Sequence, residues 1–243
     1  DALGPRFADA VLDLEDGRPE AALPVLVQLP DDSPLVWWER SRAAHLLGDP
    51  DAARVALRQF AALAGGHQPI GREHSGVLLA QITAETGNID EALRVLRDLR
   101  ANDAELGAWL YAQLLLADGA PAAEQQHRWA EAEAVLRGVL RKNPSAQAVY
   151  GLLAHARTLL GQRLAAMQTL EQALTTCCSQ PGKCGTEPPH PTVLRQLATL
   201  YLEDGLERDR ALDLAAQALA QVEVATPADE HLADLVRRAA APA

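Results

Sequence analysis

The sequence predicts an all-α fold, a solenoid of about six helix–turn–helix hairpins closed by a C-terminal helix. Three observations carry the prediction. Ala, Leu and Arg are abundant in the 243 residues while Val and Ile are thin, a balance that favours helix over strand. A phrase built on one glycine, one alanine and one leucine returns along the chain. The last segment carries the start and stop signals of a single further helix.

The phrase is clearest in LEDGRPEAALPVL, LLGDPDAARVAL, ETGNIDEALRVL and LLGQRLAAMQTL. Its glycines are Gly17, Gly48, Gly87 and Gly161. An alanine follows each by five residues (Ala22, Ala53, Ala92, Ala166), and a leucine follows four later (Leu26, Leu57, Leu96, Leu170). Glycine lets a helix stop in a left-handed residue. The alanine lets two antiparallel helices approach, and the leucine fills the space between them. One hairpin cannot bury its apolar face alone, whereas stacked neighbours can. Two copies are distorted. RWAEAEAVLRGVLRKNP supplies a second helix with Ala132, Leu136 and a closing Pro144. YLEDGLERDRALDLAAQAL sets Gly205 and Ala211 one residue further apart. In TPADEHLADLVRRAA, Thr226 suits an N-cap and Pro227 the first helical position. Asp229 and Glu230 precede Arg237 and Arg238 in the order the helix dipole favours. The expected organisation is one domain over 1–243, an inserted Cys/Pro-rich loop over 175–191, and a capping helix over 226–240.

The pattern resembles the tetratricopeptide repeat, a helix–turn–helix unit with a large residue early in its first helix and alanine in its second. First-helix matches are Trp37, Leu79 with Ala80, Tyr111 with Ala112, Tyr150 with Leu153 and Ala154, and Leu197 with Ala198 and Tyr201. The resemblance covers about residues 5–222 and implies a right-handed solenoid. It departs from the family in its irregular glycine spacing, in missing closing prolines, in the turn ADGAPAAEQQH and in the cysteine loop.

The resemblance also implies a protein partner, held in the concave groove that first helices line. The register places Trp38, Arg42 and His45 there from the second hairpin, and Val77 and Gln81 from the third. Trp109 and Gln113 follow from the fourth, His155 from the fifth, and Arg195 and Thr199 from the last. The Lys and Asn clamp by which one subgroup grips chaperone tails is missing at these positions. A hydrophobic or amphipathic helical segment is the expected occupant, with Trp38 and Trp109 as anchors. Trp38 also has a competing place in the core, because Trp37 beside it takes the consensus core position.

The formal net charge of −11 makes phosphate backbones and anionic membranes poor partners. No apolar run reaches the length of a membrane span. There is no Gly-rich phosphate loop, no H-E-x-x-H and no G-x-S-x-G, so a non-enzymatic scaffold or adaptor without a cofactor is expected. The Lys-poor, Ala- and Arg-rich composition points to a bacterial source. Likeness to envelope tetratricopeptide proteins points to an assembly system there, and an architectural subunit of a larger complex is the alternative.

Every cysteine lies in TTCCSQPGKCGTEPPHP. Three readings stay open. Cys184 pairs with Cys177 or Cys178 in a disulfide, which stiffens the loop and places the chain in a periplasm or outside the cell. Cys177, Cys178, Cys184 and His190 hold zinc or copper, or act as a redox-responsive site. All three thiols stay reduced, as in a cytoplasmic protein.

Overall fold

The computed structural model describes residues 3–64, 72–100, 106–117, 121–178, 190–222 and 224–240. Among them are thirteen helices and no strand. They are α1 (Gly4–Glu15), α2 (Pro19–Val27), α3 (Pro34–Leu46), α4 (Pro50–Ala64), α5 (Arg72–Glu85), α6 (Ile89–Arg100) and α7 (Leu106–Leu116). Then come α8 (Ala122–Lys142), α9 (Gln147–Leu159), α10 (Arg163–Cys178), α11 (Pro191–Glu203), α12 (Arg208–Leu219) and α13 (Pro227–Ala240). Contacts group the chain into two compact units, Asp1–Leu114 and Leu115–Ala243.

Five hairpins turn by the same hydrogen bonds. The Gly48 N–H donates to His45 O at 3.0 Å, and the Asp49 N–H to Ala44 O at 2.9 Å. The same pair of bonds recurs at Gly17, Gly87, Gly161 and Gly205. This is the Schellman arrangement, which needs a left-handed residue; the glycines supply it with φ between 66° and 84°. In the first four copies the residue after the glycine caps the next helix, and its carbonyl accepts from the repeated alanine, as in Ala53 N–H to Asp49 O at 3.1 Å. The alanine spacing is thus set from the cap. In the last hairpin the cap is Glu207, itself left-handed at φ 44°. The Ala211 N–H still donates to the cap carbonyl, at 2.8 Å. One extra turn residue is absorbed without moving Ala211 out of the helix crossing.

Ala22, Ala53, Ala92, Ala132, Ala166 and Ala211 are all fully buried. In the first unit, Ala22 and Leu26 belong to a core with Ala10, Leu14 and Val36. A second core joins Trp38, Ala53, Leu57, Phe60 and Ile82. In the second unit one core runs from Tyr150 through Leu170, Leu197 and Ala215 to Leu232 of α13.

The α2–α3 junction has a different kind of anchor. Arg40 is buried, with its guanidinium at the C-terminal end of α2. It donates to Leu26 O at 2.9 Å, Leu29 O at 3.0 Å and Val27 O at 3.2 Å, and pairs with Asp31 at 2.6 Å. These carbonyls lie at a helix end, where intrahelical donors run out; Leu26 O also accepts the Leu29 N–H at 3.2 Å. The Trp37 ring lies 4.4 Å from the guanidinium, and its indole N–H donates to Asp31 O at 2.8 Å.

Helix α13 is tied to α11 at its start. Asp229 accepts from the Thr226 hydroxyl at 2.5 Å, from the Thr226 N–H at 2.9 Å and from Arg195 at 2.9 Å. The Thr226 hydrogen bonds, with Arg195 adding to them against the effect of burial, hold the Asp229 carboxyl at about 2, below the ordinary 3.8. A depressed carboxylate stabilises the fold above its ordinary pKa, and that contribution is lost as pH falls through the folded value. Amide exchange in α13 is therefore expected to accelerate as pH drops from about 4 to about 2 relative to the α9 core. Asp229→Asn should remove that step, and an unchanged acid profile in the variant would contradict the assignment.

Candidate partner-binding face

The first helices of the hairpins in the Asp1–Leu114 unit are α1, α3 and α5, and α7 follows α6. Side chains of the first three form a linked polar row. Arg42 of α3 pairs with Glu15 of α1 at 2.8 Å and with Glu39 of its own helix at 2.8 Å. Burial pushes the Glu39 carboxyl up, and Arg42 only partly offsets it. Burial works against the Arg42 charge, but its two carboxylate partners outweigh it and hold the guanidinium above its usual range. His45 Nδ1 lies 3.3 Å from Glu85 of α5, without the geometry of a hydrogen bond. The Gln81 amide donates to Glu85 at 3.4 Å. The row holds Glu15, Glu39 and Glu85 against Arg42 and the titratable His45, so it carries an acidic excess.

The two tryptophans expected as anchors part company. Trp38 is 9% exposed and belongs to the core, with its ring 5.7 Å from that of Phe60. It leaves almost no surface for a partner, which corrects the expectation of an anchor there. Trp109 on α7 is 43% exposed, the only aromatic among the exposed large hydrophobic side chains of the described residues. Val77 and Gln113 are half-buried.

In the Leu115–Ala243 unit the expected positions behave differently. Arg195 is taken up by Asp229 and holds α13 in place. Thr199 is half-buried and His155 exposed. Glu203 accepts from Arg163 at 2.8 Å and lies 3.1 Å from His231 of α13. Burial works against its charge, but those partners outweigh it and lower its pKa.

A sequence signal for these links exists. Glu15, Glu85 and Glu203 each stand two residues before a turn glycine, and each meets a basic or histidine side chain of a nearby helix. Pattern reading aimed at apolar repeats passes over it.

The Cys184 side of the expected disulfide or metal site lies outside the described residues, as do the side chains of Cys177 and Cys178. His190 is described. It caps α11, its Nδ1 accepting the Thr192 N–H at 3.3 Å, while its own backbone N–H donates to Gln147 at 2.9 Å. One ring nitrogen is thereby committed to the helix. Among the described residues no group of three His, Cys, Asp or Glu side chains is placed to hold a metal ion.

No family model matches the sequence, and no curated protein matches it. Solved structures do match. PilW, described as a widely conserved type IV pilus biogenesis factor, superposes with a TM-score of 0.68 at 14% identity, over 94% of this chain and 96% of its own. TTC0263, a thermophilic TPR protein of Thermus thermophilus, matches with 0.59 at 21% identity, over 84% and 100%. YrrB, described as a TPR protein with an unusual peptide-binding site, matches with 0.53 at 14%, over 79% and 90%.

The chain has the fold of a tetratricopeptide array. The fold class is the all-α solenoid. The helices pair as α1/α2, α3/α4 and α5/α6 in the first unit and as α9/α10 and α11/α12 in the second, with α13 following the last pair. The polar row of α1, α3 and α5 then falls on first helices, and Trp109 stands on α7, the helix that follows α6. No helix is long and apolar enough to cross a membrane among the described residues.

Proposed function

We propose that this array is a non-enzymatic scaffold that binds a segment of a partner protein along the first helices and α7 of its Asp1–Leu114 unit. The observation that carries the reading is the composition of that face. An exposed tryptophan stands on α7, and an acidic row runs over α1, α3 and α5. A segment that matches both is amphipathic, with an apolar residue for Trp109 and Lys or Arg side chains for the exposed carboxylates of Glu15 and Glu85. Charge of this kind governs encounter rate and specificity more than depth of affinity. The exposed indole supplies the apolar anchor, as tryptophan does at many interfaces. Solved arrays of this fold include one described by its peptide-binding site and one described as a pilus biogenesis factor. An assembly role in a bacterial envelope fits this reading.

The test is selection from a displayed random peptide library against the full chain. Enriched peptides are expected to carry Lys or Arg interleaved with large apolar residues. Their binding should weaken with added salt and by about tenfold in Trp109→Ala. Enrichment of acidic peptides, or binding indifferent to both salt and Trp109→Ala, would overturn the reading.

A further inference from the structure

A second candidate site lies within the Leu115–Ala243 unit. Helices α8, α9 and α10 of the Leu115–Ala243 unit border a cavity of about 330 Å³. Its walls include Leu140, Leu153 and the ring of Tyr150, together with Arg137, Arg141 and Arg157. Three guanidinium groups around one cavity are unexpected in a chain whose formal charge is −11.

The three arginines differ in what they hold. Arg157 is committed: it pairs with Glu133 at 3.1 Å, donates to Ala165 O at 3.2 Å and bonds the Thr169 hydroxyl. The Tyr150 hydroxyl is committed too, donating to Pro144 O at 3.0 Å, so its ring serves as wall. Arg137 and Arg141 have no acidic partner among the described residues. They stand four residues apart on α8, about one helical turn, where like charges repel. Two exposed cations without an acidic partner thus stand beside one cavity whose wall is partly apolar.

We propose that this cavity binds a small organic carboxylate with an apolar or aromatic body. The guanidinium forks of Arg137 and Arg141 match the two oxygens of a carboxylate. The Leu140, Leu153 and Tyr150 surfaces take the body, and the volume is at the lower end of the range of small-ligand pockets. Inorganic phosphate would meet the arginines and leave the apolar wall bare. A neutral aromatic would fill the wall and leave the arginines unpaired.

The probe is 3-phenylpropionate, followed by calorimetry and by ligand-observed NMR on the full chain. The amide analogue removes the charge, acetate removes the body, and inorganic phosphate supplies charge alone. 3-Phenylpropionate is expected to bind at least about tenfold more tightly than each of the other three. The double variant Arg137→Gln, Arg141→Gln should lose that preference. Its melting temperature should stay unchanged, because neither side chain holds another element. Equal binding of the amide would reduce the cavity to a patch of apolar surface, and equal binding of phosphate to a patch of positive charge. Either result, or unaltered 3-phenylpropionate binding by the folded double variant, would overturn the proposal.

Discussion

Arg40→Leu is expected to destabilise the Asp1–Leu114 unit by about 3 kcal/mol, the cost of removing a buried charged donor from acceptors that stay buried. The leucine keeps the apolar stem and loses every hydrogen bond. The carbonyls of Val27 and Leu29 then face the α2–α3 junction without a donor, and Leu26 O keeps only the Leu29 N–H. Water does not replace the guanidinium easily, because Arg40 is buried and Trp37 covers it. Arg40→Lys should fall between Arg40→Leu and the parent chain, since an ammonium cannot span several carbonyls as a guanidinium does. Arg6 offers the control: its bond to Gln28 is exposed, and Arg6→Ala should cost within about 0.5 kcal/mol. Urea unfolding of the three variants checks the order. If Arg40→Leu were as mild as Arg6→Ala, the guanidinium would not be what closes α2.

Phe60→Ala is expected to cost about 3–5 kcal/mol, the range for truncating a fully buried aromatic side chain. Phe60 is 1% exposed and shares a core with Leu57, Ala53, Ile82 and Trp38. Its ring meets Trp38 in a tilted arrangement at 53°, a favoured geometry for aromatic pairs. Removing it opens a cavity that α3, α4 and α5 all border. Phe60→Leu keeps most of the volume and should cost much less. Because Trp38 borders the cavity, its fluorescence should shift in Phe60→Ala even where the chain stays folded. A small loss of stability with unchanged emission would place Trp38 elsewhere than in this core.

The hairpins were legible because their signal is local and repeated. Gly48, Asp49 and Ala53 each have a fixed place in one turn, and neighbouring repeats use the same places. The widened spacing of Gly205 and Ala211 was readable as an oddity, but its resolution lies in the backbone of Glu207. The face was less legible. Trp37 and Trp38 are adjacent, and a helix turns adjacent residues only about a quarter-turn apart, so both reach the packed side of α3. Arg40 looks like an ordinary solvated charge in sequence, since its acceptors are backbone oxygens of another helix. Arg137 and Arg141 likewise acquire meaning only when α9 and α10 supply an apolar wall. Paired charges such as Arg42 with Glu15 lie far apart in the chain, and their register shows only against the turn glycines.

The most direct test of the scaffold reading is position-resolved photo-crosslinking in the native host. A photoreactive residue is placed in turn at Gln81 of α5 and Trp109 of α7, and at Val55 and Leu164, exposed on second helices. The account predicts a discrete crosslinked protein at Gln81 and Trp109 and none at Val55 or Leu164. Crosslinks confined to Val55 and Leu164 would contradict it and make the chain an architectural subunit that packs through its second helices.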